Sequence, residues 1–431
     1  MNHFKGLIVL IWSFCTAVMA LSPIASDTLV VYDSSVLEFG EFSSLVDHLN
    51  GEFSRVDIVD LNDKASEVQL FYNQKRIYQN LFVFPISGQS NQGDLNALKL
   101  IEFVNEGGDI ISITNQVGSN SEIVAFNTEL GIYPSPKNYK LIDHFNGVNE
   151  QHDEIRLSLE ESVVPNSIVA FNKAIVYSGA ASLLSNNEYL IPLLKAPKTS
   201  FAYDINEGVV NEQSTWTSGD QGFLAVAFQG LNNARSLWLG STLFFDNEHF
   251  DQSAKDLVDW TFQSRNLLKS TFAKHYLTDA PESTEEYKVK DEVSYEIGLS
   301  EWNGKEWVPF KANDVQLELI MLDPYYRITL EQVKTEDESV QVYTSGPFKL
   351  PDQHGMFTFS TKYFRPGYTF IEEEDIVPVR HLANDEYPRS WEITNSWVYV
   401  ASAGAVVIAW IIFVIFFLYS TEDATEIKKN I

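Results

Sequence analysis

Apolar residues in the first part of the chain alternate between short continuous runs and helically spaced stretches. Residues 28–32 (TLVVY), 56–61, 80–86 (NLFVFPI) and 109–114 (DIISIT) are β-branched or aromatic runs of strand length. Between them, 39–49 places Phe42, Leu45, Val46 and Leu49 on one face, 66–78 is compatible with a helix, and 95–105 repeats at helical spacing until Gly107 and Gly108 stop it. Strands alternating with helices at this spacing predict a parallel, doubly wound α/β sheet. Beyond Gln116 the pattern predicts a helix over 121–130. Strands over 155–159, 168–177, 190–192, 222–229 and 236–240 would extend or flank the first sheet. A helix over 252–269, with Leu257, Trp260 and Leu267 near one face, is expected to close a domain of residues 26–275. The polar stretch 276–286, containing TDAPESTEE, reads as a linker. Helical periodicity then nearly vanishes, and alternating stretches at 293–299, 315–321, 339–343, 356–363 and 376–380 predict a β-sandwich over 287–390.

Residues 397–419, WVYVASAGAVVIAWIIFVIFFLY, carry no charge. As a helix they run roughly 34 Å, enough to cross a bilayer core. Trp397, Tyr399 and Tyr419 fall where aromatic rings meet the headgroups. Ala401, Ala405 and Ala409, with Gly404 beside them, form a small-residue face that would let a neighbouring transmembrane helix approach closely. At the other terminus, Lys5 precedes an apolar run at 6–19, and Val18, Met19 and Ala20 suit cleavage, so 1–20 reads as a signal peptide. The body would then be lumenal or extracellular, with 420–431 cytosolic. Cys15, the only cysteine, lies within the expected signal peptide, so no disulfide, zinc-thiolate site or cysteine nucleophile is expected. A formal charge of −29 argues against nucleic acid as a partner, and no Asn-x-Ser/Thr sequon occurs.

Candidate chemistry is sparse. Ser87 and Ser90 follow the third strand at a corner where hydrolases place nucleophiles, but SGQS lacks the Gly-x-Ser-x-Gly elbow and reads as a turn and N-cap. Residues 88–93 (GQSNQG) continue into Asp94 and Leu95 where a phosphate loop needs Lys and Ser or Thr. The histidines lack metal-ligand spacing. The stretch Asp246, Asn247, Glu248, His249 precedes a helix and suits capping better than metal binding. Residues 372–375 (EEED) read as a solvated loop. No cofactor site is expected.

The stretch before the membrane carries longer signals. These are Trp307, Pro309 and Phe310, then Asp314, Gln316 and Glu318, then Asp323 and Pro324, then Leu350, Pro351, Asp352 and Gly355. Phe357, Phe359, Tyr363, Arg365, Gly367, Tyr368, Tyr387 and Arg389 continue the series. In this order they resemble the oligosaccharyltransferase subunit family that includes the yeast wheat-germ-agglutinin-binding-protein subunit and the animal forty-eight-kilodalton subunit. LVVYD at 29–33 and FVNEGGDIISI at 103–113 extend the resemblance more loosely, to cover the chain from about Thr28 onward. It implies a type I endoplasmic reticulum membrane protein and an amidotransferase-like α/β domain without catalytic residues. The implied role is a non-catalytic scaffold in the complex that moves a glycan from dolichyl diphosphate to sequon Asn. The implied partners are a ribophorin-II-like subunit, the small defender-against-death subunit and the catalytic multispanning subunit. Lys428 and Lys429, fourth and third from the end, then look like a cytosolic dilysine retrieval signal. Two other readings stay open: a lumenal serine hydrolase using Ser87 or Ser90, and a stand-alone glycan or cargo receptor of the early secretory pathway.

Overall fold

The computed structural model describes residues 27–63, 68–87, 93–115, 120–206, 210, 214–283, 286–334, 338–387 and 395–429, with the backbone alone for 281–283 and 421–429. The expected signal peptide and Ser90 lie outside these residues, as do the side chains of Lys428 and Lys429.

Five parallel strands form the centre of the first domain. Asp27–Tyr32 pairs on one side with Arg55–Asp60 and on the other with Asn80–Val83. Asp109–Ile113 and Arg235–Leu239 follow outward. In chain order this is 2-1-3-4-5, a doubly wound arrangement. Alternate strand residues serve two cores. Val30, Phe82, Ile111 and Leu237 face the helices Ser43–Glu52 and Gln252–Thr261. Leu29, Leu81 and Ile110 face Ala97–Asn105 and Ser121–Leu130. Antiparallel strands Phe223–Gln229, Ser182–Leu184 and Ile132–Pro134 extend the sheet, and Leu190–Lys195 also pairs with the first of these. The expected strands at 155–159 and 168–177 shrink to Ile155–Leu157 and Ile175–Tyr177, which pair with each other outside the main sheet.

Where a helix is compatible with 66–78, the chain instead forms a hairpin of Phe71–Tyr72 and Lys75–Arg76. Asn73 and Gln74 at its turn take positive φ of 49° and 63°, the pairing that a two-residue hairpin with native twist requires.

A larger correction concerns the domain boundary. The helix expected over 252–269 ends at Thr261, where Gln263 and Asn266 adopt φ of 55° and 56° and break the periodicity. Leu267–Leu277 is a strand, paired along its length with Glu292–Trp302. The expected linker at 276–286 contributes the strand Ala280–Ser283, which folds back on Leu277. The reason is a turn at Thr278 and Asp279: polar composition marked a hairpin tip rather than a tether.

The second domain is a sandwich of two sheets. One is built on Glu292–Trp302; the other runs Tyr287–Lys288, Ile371–Arg380, Gly355–Tyr363, Gln316–Met321, Asp323–Thr329. Val293, Ile297, Leu317, Phe357 and Val377 fill the space between them. The acidic run 372–375 is not a loop but part of Ile371–Arg380. Charged residues are poor strand formers, yet Lys362 on the neighbouring strand bridges Glu372 at 2.6 Å and Glu374 at 2.9 Å. Asp375 accepts from His275 at 2.8 Å. Ser396–Lys429 is one helix, of which Ser396–Ser420 is long and apolar enough to span a membrane, and none of its hydropathic window is buried among the described residues.

Candidate functional site: a clasp between the two domains

The loop of residues 364–370 joins two sandwich strands and reaches into the α/β domain, where side chains from four separate segments receive it. Gln229, at the end of an antiparallel strand, donates to Tyr368 O at 2.6 Å and accepts from Gly367 N at 3.2 Å. Asn233 accepts from Phe370 N at 2.6 Å and donates to Phe370 O at 3.2 Å. Trp260 Nε1 and Asn266 Nδ2 both donate to Gly367 O, at 2.8 and 3.2 Å. Ser167 Oγ donates to Pro366 O at 2.9 Å. Backbone groups of the inserted loop are thereby paired as buried groups must be.

Arg235 organises the receiving side. It opens the fifth parallel strand and is fully buried. Its guanidinium donates to Trp260 O (2.7 Å), Arg265 O (2.9 Å) and Asn266 O (3.0 Å), and to Thr369 Oγ1 (3.2 Å) in the inserted loop. Trp260 lies in the last turn of Gln252–Thr261, so the cation meets orphan carbonyls and the negative end of the helix dipole. The Trp260 ring stacks 4.9 Å from the guanidinium. Beneath this, buried Asp109 accepts from Arg235 N at 2.8 Å and from Gln263 Nε2 at 2.8 and 3.0 Å. Burial pushes the Asp109 carboxyl up to about 7, and burial lowers Arg235 to about 10.

The sequence motif residues divide by role. Asp314 holds Arg365 at 2.6 Å and accepts from the Tyr363 hydroxyl at 3.2 Å, anchoring the base of the clasp loop. Phe310 packs between Tyr363 and Tyr368, with ring centroids 5.6 and 5.5 Å away. Trp307 packs at a tilt against Trp302 and lies under Lys269 Nζ at 4.0 Å; Pro309 ends the same short strand. Leu350 and Pro351 are buried in the sandwich, while Asp352 pairs with Lys290 at the surface. Gln316 meets Thr329, and Glu318 meets Arg327 at 2.6 Å. Asp323, Pro324 and Gly355 lie at the opposite end of the sandwich from the clasp. The α/β partners of the loop, Gln229, Asn233, Arg235 and Asn266, and Gln263 behind them, were missed by sequence reasoning, because isolated polar residues beside strands and turns give no periodic signal.

Elsewhere the geometry is structural. Ser87 donates its backbone N–H to Asp33 Oδ2 at 3.1 Å, and among the described residues no histidine hydrogen-bonds to it. His48 pairs with Asp259, and buried His275 lies between Tyr287 and Asp375. Ligand atoms of Asp246, Glu248 and His249 lie within 4.8 Å of one another. The cap of the following helix is Asp251 rather than this cluster, accepting from Ser253 N and Ala254 N at 2.9 and 3.2 Å. Ala401, Gly404, Ala405 and Ala409 are all exposed on the apolar helix, and a methyl group added at Gly404 would meet nothing within 4 Å.

Comparison with known proteins bears on both domains. The family model described as OST48, N-terminal domain matches residues 19–264, and the OST48 middle domain matches 275–421. The WBP1 subunit of dolichyl-diphosphooligosaccharide–protein glycosyltransferase from Saccharomyces cerevisiae is 41% identical over 423 residues, covering 96% of this chain and 97% of the relative. The wbp1 subunit of Schizosaccharomyces pombe is 28% identical, covering 87% and 88%. The 48 kDa subunit of Drosophila melanogaster is 28% identical, covering 82% and 84%. A solved putative ThuA-like protein of Parabacteroides merdae is 14% identical, with 55% of this chain and 90% of that chain covered and a TM-score of 0.27. With both of its domains matched by family models and its length matched by the yeast subunit, the chain belongs to the OST48 family.

Proposed function

We propose that this chain is a non-catalytic scaffold subunit of the endoplasmic reticulum oligosaccharyltransferase, supporting transfer of the dolichyl-diphosphate-linked oligosaccharide to Asn in nascent proteins. The observation that carries this reading is 41% identity to a named subunit of that enzyme over nearly the whole chain. The clasp is in keeping with it: two lumenal domains joined by buried polar contacts make a rigid body on which other subunits can be positioned. The 2-1-3-4-5 parallel order supports an amidotransferase-like ancestry for the first domain. The body is lumenal and the tail cytosolic, and its partners are the ribophorin-II-like subunit, the small defender-against-death subunit and, through them, the catalytic multispanning subunit. Native purification in mild detergent tests this. The chain should co-purify stoichiometrically with a multispanning glycosyltransferase, whereas a hydrolase or a cargo receptor would run free of it. In the same experiment Ala405→Leu should reduce partner recovery several-fold, because an added isobutyl group prevents close helix approach; undiminished recovery would sink the small-residue packing face.

Lys428 and Lys429 serve in this reading as a retrieval signal. Replacing both with Ser is expected to let unassembled copies acquire the marks of later compartments in a pulse-chase experiment. Unchanged retention would refute the signal.

A further inference from the structure

We propose that the end of the sandwich remote from the clasp dips into the interfacial layer of the lipid bilayer, led by Leu322. This goes beyond the scaffold role and rests on the reading of residues 397–419 as a membrane span. Strand register orients the domain. Tyr363 pairs with Ile371 beside the clasp, whereas Gly355 pairs with Val379 at the other end of the same ladder. Nine residues of strand separate the two ends by about 30 Å. The hairpin of Gln316–Met321 and Asp323–Thr329 turns at Leu322, level with Gly355, since Ile320 pairs with Thr358 and Met321 lies against Gly355. The route to the span leaves from this same end. After Arg380, a bidentate pair of Arg380 with Glu386 at 2.7 and 3.0 Å folds residues 380–386 back onto the sandwich. From Tyr387 to the helix start at Ser396 the chain can reach no more than about 30 Å. The Leu322 end is therefore the end of the sandwich from which the connection to the span departs, and the clasp lies at the far end.

That end exposes apolar side chains that have no structural need to be there, beside the charged Asp323 and the Arg380–Glu386 ion pair. Leu322 is 97% exposed, and its φ of 81° is a left-handed conformation that costs a leucine energy without any packing in return. On the outward face beside it, Met356 and Ile376 are 56% and 60% exposed. Met356 pairs with Pro378, and Thr358 pairs with both Ile376 and Ile320, so these residues share one face. Further along the same face, toward the clasp, the residues become charged: Lys362, Glu372 and Glu374, with Glu318 and Arg327. An apolar edge on the membrane side grading into a charged face is the profile of a surface that enters the headgroup and upper acyl region. With a chain charge of −29, attraction to anionic lipid is not the driving force. Insertion should therefore occur in neutral phosphatidylcholine and be insensitive to salt.

The test places one bimane-labelled cysteine at a time in the full-length chain carrying Cys15→Ser, reconstituted in phosphatidylcholine vesicles with lipids brominated near the headgroup or deep in the chain. Leu322→Cys is fully exposed and so should not disturb folding; Met356→Cys and Ile376→Cys are second reporters. Val407→Cys reports the span itself, and Glu150→Cys on the α/β domain serves as the aqueous control. Shallow bromines should quench Leu322→Cys at least about twofold more than Glu150→Cys, with deep bromines less effective, as expected for burial of 5–10 Å. Val407→Cys should be quenched most by deep bromines; if it is not, the span reading fails, and the tether argument with it. Quenching of Val407→Cys alone, with Leu322→Cys no different from Glu150→Cys, overturns the proposal. So does shielding of Leu322→Cys from aqueous iodide without bromine quenching, which would mean that protein rather than lipid covers it.

Discussion

Replacing Arg235 with Met should destabilise the two-domain body by about 3–5 kcal/mol, the range for removing one member of a buried, hydrogen-bonded charged site. At about 2–4 °C per kcal/mol for a domain of this size, the melting temperature should fall by about 10 °C. Methionine fills similar space, so the loss isolates the polar function. The carbonyls of Trp260, Arg265 and Asn266 and the hydroxyl of Thr369 would lose their shared donor. Arg235→Lys keeps the charge but cannot fork toward three carbonyls, and should fall between the two. The effect should also depend on pH. Burial raises Asp109 to about 7 in the folded chain, so its protonation favours the folded state fully below the ordinary carboxylate range. That stabilisation is lost as pH rises through about 7. Removing the Arg235 charge raises Asp109 further, so the gap between wild type and Arg235→Met should widen from pH 5 to pH 8. A melting-temperature change under about 2 °C, or a gap that narrows with pH, would show that Arg235 is not the organising group.

Gly367→Ala tests the inserted loop itself. Gly367 sits at φ +90°, and a methyl group there would lie 2.1 Å from Ser167 Oγ and 3.2 Å from Ile168 Cγ1. Left-handed strain of roughly 1–2 kcal/mol adds to an overpacking cost of about 1–3 kcal/mol. The loop can escape this by withdrawing from the α/β domain, giving up its bonds to Gln229, Trp260 and Asn266. We expect one cooperative melting transition to split into two and residues 364–370 to become sensitive to protease. Gly304→Ala is the matched control, at φ +94° with its nearest neighbour, Ser264 O, 3.8 Å away. It should cost only the backbone strain and leave a single transition. Equal behaviour of the two variants would mean that the clasp does not couple the domains.

Much of the framework was legible because it is local. The helix Ser121–Leu130 begins after Asn120, whose side chain caps Glu122 N, and stops at left-handed Gly131. The signals for its start and end stand next to its apolar face in the sequence. On the loop side of the clasp, Tyr363, Arg365, Gly367 and Tyr368 stood out only as part of the family resemblance, and nothing local said that they insert into the α/β domain. The α/β side was not legible at all. Arg235 before an apolar run looks like a charged flank at a strand's surface end, and its burial depends on Thr369, 134 positions later. The same limit hid the strand at 267–277. Leu257, Trp260 and Leu267 fit one helical face, and only pairing with Glu292–Trp302 divides them between a helix and a strand. The acidic run at 372–375 resembles a solvated loop until Lys362 is placed opposite it.

The sequence by itself determined the apolar helix at 397–419, the parallel α/β core and the sandwich strands, because segment length, hydropathy and side-chain period are properties of neighbouring residues. Tertiary structure decided where one domain ends and the next begins, that an arginine is buried under a helix terminus, and that a single loop locks the two domains together. Those features depend on hydrogen bonds between residues from about 25 to about 140 positions apart, and no local pattern records which distant carbonyl a buried donor will meet.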